Sequence, residues 1–238
     1  MSTATAPKIK LYTNHGCPWA HRAHIALAEL GLPFEEEIID LSVPRTKEYL
    51  AINPRGLVPS LSYDGEIITE SAIVSQFLAD AHPSHLLPAA GSGKDAALRR
   101  ARINFFVDTY FSKANSSLFK LQLAKSEAEV GEIATGFIDV IAKEIEPLLK
   151  DAAPYFGGSD KVTLAEVLTG SFTLRLFSFA NYELIPKSIL TSLEEKAPSF
   201  YKWAQVVNDT PSVNGIYDEK TVVERTKQRI GALKAAQA

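Results

Sequence analysis

Between Lys8 and Thr13, apolar Ile9 and Leu11 alternate with lysines before Tyr12, the two-residue period of a short strand. Asn14-His15-Gly16 is turn chemistry. Pro18 suits the first position of a helix that runs to Leu30 and stops at Gly31, with Pro33 just beyond. A second strand is expected over Phe34 to Leu41, with Ile38, Ile39 and Leu41 as its apolar part. Pro44 to Ala51 fits a short helix, and Asn53-Pro54-Arg55-Gly56 a loop. Leu57 to Tyr63, then Asp64-Gly65, then Glu66 to Thr69 reads as strand, tight turn, strand. Glu70-Ser71 opens an amphipathic helix, with Ile73, Val74, Phe77, Leu78 and Ala81 on one face, that ends at His82-Pro83.

The period then changes for good. Pro83 to Gly93 is rich in Pro, Ala, Gly and Ser, and beyond it the pattern is helical almost throughout. Lys94 to Ala124 and Glu127 to Leu149 predict two long helices. Thr163-Leu164-Ala165-Glu166 has capping-box spacing and opens a very apolar helix through Phe172, Leu174, Leu176 and Phe177. Shorter helices follow at about Ile189 to Lys196, Ser199 to Asn208 and Lys220 to Leu233. The expected fold class is α/β plus all-α, with a small sheet-and-helix domain over residues 1–87, a linker at about 88–93 and a helical domain over 94–238.

Composition narrows the function. A chain of 238 residues with 46% hydrophobic and 22% charged positions is ordinary for a globular protein. A net charge of −3 gives no reason to expect nucleic acid or an anionic membrane as partner, and no apolar run approaches the ~18 residues of a membrane span. Met1 to Pro7 has no apolar core of a secretory signal, and Lys234 to Ala238 carries no targeting motif. A cytoplasmic protein is expected.

Cys17 is the only cysteine. It follows a turn, precedes a proline and falls at or beside a helix N-cap, where free amides and the positive dipole end favour a thiolate. A lone cysteine is commonly a small buried hydrophobe, but this position is that of a nucleophile. Ala20 stands where a dithiol enzyme would carry its resolving cysteine, so any redox cycle must be completed by an outside thiol. His15, His21 and His24 crowd the helix start; no set of cysteines or carboxylates joins them in sequence, and no metal site is expected. Tyr12 lies inside the strand, the place of a buried structural ring.

These residues resemble the glutathione transferases, in their cysteine-type, omega-like branch. Cys17-Pro18-Trp19-Ala20 is similar to the omega-class cysteine motif, Asn53-Pro54-Arg55-Gly56-Leu57-Val58-Pro59 to the loop into the third strand, and Glu70-Ser71-Ala72-Ile73 to the glutamate-serine pair that opens the third helix. Cys17 to Arg22 is equally similar to the glutathionyl-hydroquinone reductases, whose chains are longer before the cysteine. The resemblance implies a thioredoxin-like domain in front of a helical bundle. It implies Cys17 as catalytic residue and glutathione as co-substrate, with no metal. Trp19, Val58, a cis Pro59, Glu70 and Ser71 would line the glutathione site, Val58 pairing with the cysteinyl backbone as strands pair. A basic residue would meet the glycyl end; counting back from Asn53 favours Arg45 and leaves Lys47 possible. The helical domain would form the acceptor pocket against Trp19, with Tyr110 and Phe111 as candidates. Thioltransfer or dehydroascorbate reduction is the implied activity, with a homodimer as the assembly. Conjugation of glutathione to an electrophile, or glutathione binding without catalysis, are the alternatives.

Overall fold

The computed structural model describes residues 6–236, so the expectations for the extreme ends of the chain fall largely outside the described residues. The first half is a four-stranded mixed sheet with helices. It runs β1 (Ile9–Thr13), α1 (Pro18–Leu30), β2 (Glu35–Ile38), α2 (Lys47–Ile52), β3 (Ser60–Tyr63), β4 (Glu66–Thr69) and α3 (Ser71–Ala81). The strand order is β2-β1-β3-β4, with β1 parallel to β2 and antiparallel to β3, and β3 antiparallel to β4. Central β1 buries Ile9, Leu11, Tyr12 and Thr13. Asp64 and Gly65 both take positive φ (51° and 93°) in the β3–β4 turn, as a tight hairpin requires.

Two expectations about buried faces need correction. Ile38 is 56% exposed and Leu41 is exposed, whereas Ile39, one residue past β2, is the buried one and donates its N–H to Thr13 O at 2.8 Å. β2 is an edge strand made of three glutamates and Ile38, tied across the sheet by a Lys10–Glu37 ion pair at 2.6 Å. On α3 the buried stripe is Ser71, Val74, Ser75, Leu78 and Ala79, while Ile73 is 57% exposed and Ala81 is exposed. The helix packs against α1 and the long central helix through two serines, which an apolar-only reading overlooks.

The second half is helical: α4 (Lys94–Thr109), α5 (Ser116–Leu123), α6 (Glu127–Val140), α7 (Leu164–Asn181), α8 (Ser188–Lys196), α9 (Pro198–Asp209), α10 (Pro211–Asn214) and α11 (Glu219–Ala235). The two long helices expected over 94–124 and 127–149 are each interrupted by a π turn, at Tyr110–Ala114 and Ile141–Ile145. The fold class is therefore the expected one, an α/β unit followed by an all-helical one.

Helix α7 is the axis of this half and is buried over most of its length. Its capping box is formed, and Glu166 does more than cap. From full burial its carboxylate accepts the Thr163 N–H, the Phe156 N–H and the Trp203 indole N–H, each at 2.8 Å. Burial pushes its pKa above the ordinary glutamate range, against these bonds. Gly170 lets α9 and α10 come close, since a Cβ there would meet Val207 Cγ1 at 3.1 Å and Val213 Cγ1 at 3.2 Å.

Candidate active site

Cys17 occupies the N-cap of α1 with extended backbone (φ −85°, ψ 119°), and Pro18 holds the first helical position. The turn that delivers it is fastened at both ends. Cys17 N–H donates to Asn14 O at 2.9 Å, Asn14 Oδ1 accepts the Gly16 N–H at 3.0 Å, and Asn14 Nδ2 donates to Ile39 O at 2.9 Å. The side chain is free, partly exposed, and makes no capping bond to its own helix. Cys17 packs on a small cluster of Tyr12, Ala20, Ile39, Tyr49 and Val58. Tyr12 is buried against Tyr49, ring centroids 5.8 Å apart, as a structural ring.

The Val58–Pro59 bond is cis. Asn53 Nδ2 (2.9 Å) and the Tyr49 hydroxyl both donate to Leu57 O, which fixes the loop before it. Among the described residues neither the amide nor the carbonyl of Val58 takes a hydrogen-bond partner, so a backbone edge lies beside the thiol. Glu70 caps α3 with φ +69°, a left-handed conformation uncommon for a residue with a Cβ. Its carboxylate pairs with Arg55. Ser71 follows, buried, at the first turn of α3.

Arg45 and Lys47 are treated differently by the fold. The Arg45 guanidinium is spent on main-chain carbonyls, Gly56 O at 3.0 Å, Asp40 O at 2.8 Å and Val43 O. Lys47 opens α2, exposed, and has no ion-pair partner among the described residues.

The aromatic candidates separate in the same way. Trp19, 41% exposed, sits 5.4 Å from Phe111 and 4.8 Å from Phe172, ring centroid to ring centroid. Tyr110 has no exposed surface, so it backs the wall and does not line it, contrary to expectation. Phe172, expected only as part of the apolar helix, takes its place. The π turn that begins at Tyr110 sets this arrangement, and no periodicity signals it.

Two further residues were missed, and both are buried cations. Arg22 projects from α1 under the aromatic wall, its guanidinium carbon 4.6 Å from the Trp19 ring, 4.3 Å from Phe111 and 5.2 Å from Phe172. It donates through Nη1 to Ser71 Oγ at 3.0 Å and through Nε to Leu168 O at 2.8 Å. Arg175 reaches from α7 to the cysteine turn. It donates to Gly16 O at 3.2 Å and Ser171 O at 2.9 Å, and stacks on Tyr217 at 4.9 Å. Ser171 Oγ in turn donates to Pro18 O at 2.8 Å.

Neither guanidinium has a carboxylate partner among the described residues. Burial lowers Arg22 to about 9, opposed by the charges of Tyr110 and Cys17. It lowers Arg175 to about 10, opposed by Tyr217 and Cys17. Both stay cationic at neutral pH. The signal was present in the sequence only as Arg22 one helical turn after Trp19. Arg175 lies 158 positions from Cys17 and could not be found by spacing.

The three histidines also part company. His21 is buried beside Arg175, its Nδ1 at 3.4 Å from Nη1. Burial first, and then the Arg175 charge, hold its pKa well below the usual histidine value. His24 Nε2 bonds Thr13 Oγ1 at 2.9 Å. His15 Nε2 lies 2.5 Å from Glu36 Oε1. A carboxylate therefore does join the histidines: the parallel register of β1 and β2 sets Glu36 opposite Leu11, next to the turn. A cavity of about 660 Å³ around Phe177, Ser178, Gln205 and Tyr217, on the α9 flank of α7, does not reach Cys17.

Comparison with known proteins finds relatives of the whole chain. Residues 16–81 match the family model described as the glutathione S-transferase N-terminal domain. A probable glutathione S-transferase, GSTU1, of Oryza sativa subsp. japonica is 31% identical over 87% of this chain and 91% of its own length. The solved structure of rice GST1 (OsGSTU1) in complex with glutathione superposes with a TM-score of 0.81 at 28% identity, covering 99% of this chain and all of that one. Glutathione transferase Omega 2C from Trametes versicolor gives a TM-score of 0.79 at 26% identity, over 94% of this chain and 99% of that one.

Proposed function

Because this chain belongs to the glutathione S-transferase family, whose co-substrate is glutathione, we propose that it is an omega-like thioltransferase working through a Cys17–glutathione mixed disulfide. One observation carries the reading. The only thiol of the chain stands at a helix N-cap beside two buried guanidiniums that have no carboxylate of their own.

The Cys17 thiolate attacks the glutathione sulfur of a glutathionylated substrate. The Cys17–glutathione disulfide forms, the substrate's sulfur leaves with the electron pair, and it takes a proton from water. A second glutathione, as thiolate, attacks the glutathione sulfur of that disulfide. Oxidised glutathione departs and the Cys17 thiolate is restored. One free glutathione is oxidised for each substrate mixed disulfide reduced, the other half of the oxidised glutathione coming from the substrate, and no second protein cysteine is needed. Dehydroascorbate enters differently and consumes two free glutathiones: the Cys17 thiolate adds to its carbonyl, the first glutathione attacks the Cys17 sulfur of that adduct so that ascorbate leaves with the electron pair, and the second glutathione resolves the Cys17–glutathione disulfide as before.

Binding follows the free groups of the site. The Val58 backbone pairs with the cysteinyl unit. The first-turn amides of α3 and Ser71, with Arg22 behind, hold the γ-glutamyl carboxylate, and Glu70 receives the amino group. Lys47 meets the glycyl carboxylate, because Arg45 is already committed to carbonyls. Trp19, Phe111 and Phe172 form the acceptor wall. The same reading divides the chain at about residues 88–93, expects a homodimer, and places the protein in the cytoplasm. Among the described residues no helix is long and apolar enough to cross a membrane.

The test is mass spectrometry of the protein after exposure to oxidised glutathione, with Cys17→Ser as control and reduction of a small glutathione mixed disulfide assayed alongside. The expected result is one glutathione adduct on Cys17, removed by reduced glutathione, with activity lost in the variant. A protein that binds glutathione, forms no adduct and is unimpaired by Cys17→Ser would overturn the cycle and leave conjugation, with glutathione itself as nucleophile.

A further inference from the structure

We propose that His15, His24 and Glu36 form a binding site for a borderline divalent cation of the zinc type, on the β2 side of the turn that carries Cys17. One donor atom from each of the three residues lies within 4.8 Å of the other two. They come from three different elements, the turn, α1 and β2, so no spacing in the sequence announces them.

The backbone that carries each residue is fixed from outside the triad, and so is the His24 ring, whereas the His15 and Glu36 side chains contact each other. His15 rides on the turn that Asn14 ties to Ile39 O at 2.9 Å. Glu36 is fixed by the parallel register of β1 and β2. The His24 ring is oriented by Thr13 Oγ1 at 2.9 Å and by the edge of Phe34, 5.8 Å away. Because Thr13 Oγ1 takes His24 Nε2, His24 would ligate through Nδ1, its ring held by a polar partner on the other nitrogen as metal-binding histidines are. The His15 and His24 rings meet edge to face at 5.2 Å, so their nitrogens are near without stacking.

Two imidazoles and one carboxylate make a set suited to zinc and its neighbours, not to magnesium or calcium, which take oxygen donors. His15 and Glu36 are exposed and His24 lies beneath them. A cation would enter from solvent, seat on His24, and complete its shell with water. Donor atoms around tetrahedral zinc stand about 3.3 Å apart, from bond lengths near 2.0–2.1 Å. Only rotations of the two exposed side chains are needed to open the 2.5 Å His15–Glu36 contact and close the wider gaps. The bound cation would strap the β2 edge to the turn two residues before Cys17.

The site stands apart from the thiol chemistry, so its test uses the Cys17→Ser chain. Zinc is titrated against a chromogenic chelator, and the thermal midpoint is read with and without zinc, for this chain and for versions that add His15→Ala, Glu36→Gln or Thr13→Val. The expected result is one zinc per chain and a midpoint that rises with zinc. Loss of either exposed ligand should weaken binding more than tenfold and abolish the midpoint rise. Thr13→Val should weaken it about tenfold, as loss of an orienting partner does. Excess magnesium should not compete. Absence of saturable zinc binding in the Cys17→Ser chain, or binding unchanged within twofold by both His15→Ala and Glu36→Gln, would overturn the proposal.

Discussion

Replacing Arg22 with methionine separates a binding role from a riveting role. The side chain keeps its length and apolar stem, and loses the guanidinium. The variant forfeits two charge-assisted hydrogen bonds, to Leu168 O and Ser71 Oγ, worth about 1.5–3 kcal/mol each. It also forfeits the approach to three aromatic rings, worth about 0.5–2 kcal/mol. Against this, burial lowers the group to about 9, a desolvation cost on the order of 5 kcal/mol that methionine does not carry. The two sides largely cancel, so folding stability should change by no more than about 3 kcal/mol. Glutathione binding has no such compensation, because Arg22 is the cation that touches Ser71. Loss of one charge-assisted contact predicts a Kd for glutathione raised about 10- to 100-fold, read by calorimetric titration beside a thermal melt. A Kd within about twofold of the parent would refute the reasoning and leave Arg22 no part in glutathione binding.

Three further outcomes are expected. Glu166→Ala removes the acceptor of three buried N–H groups and of the Thr163 hydroxyl. It should cost about 3–5 kcal/mol in a urea melt. His21 has a folded-state pKa below its unfolded one, so its contribution to stability is present above the ordinary histidine value and is lost as pH falls below it. The charges of Arg175, His24 and His15 add to this lowering, and His21→Asn should flatten the acid limb of stability measured between about pH 7 and pH 5. Lys47→Ala should raise the Kd for glutathione about tenfold with no change in melting, whereas Arg45→Ala should lower the melting temperature, because its guanidinium closes the loop from Asp40 to Gly56; the opposite pattern would exchange their assignments.

How much of this was legible depends on how far each feature reaches along the chain. The β1–turn–α1 unit, the Asp64-Gly65 hairpin and the Thr163–Glu166 capping box are local, and residue chemistry within a few positions dictates them. β2 was placed well, but its buried residue was not: an edge strand has little sheet over it, and Ile38 points outward although it is apolar. The face of α3 was misread because its partners accept Ser71 and Ser75, and small polar residues do not register as core. The π turns left no trace in the 3.6-residue pattern. Cys17 was found because helix entry has a local signature. Its surroundings were not, since Arg175, Phe172 and Glu36 arrive from elements whose placement only the folded chain decides. The histidines were dismissed for want of a carboxylate that the sheet register supplies.

The seam between the two halves has a bearing on how such a protein diverges. Beside the Arg175 Nη1–His21 Nδ1 contact, three hydrogen bonds to main-chain carbonyls join α1 and the turn before it to α7: Arg22 Nε to Leu168 O, Ser171 Oγ to Pro18 O, and Arg175 Nη2 to Gly16 O. All three acceptors are main-chain carbonyls, present whatever side chains positions 16, 18 and 168 carry. The attachment of the thiol-bearing helix therefore depends on three donors and is indifferent to much of the sequence around it. The neighbouring wall of Trp19, Phe111 and Phe172 is made wholly of side chains. On the proposed function, substitution there would recut the acceptor surface while the thiol keeps its address, so a lineage could change what it accepts without rebuilding what it reacts with.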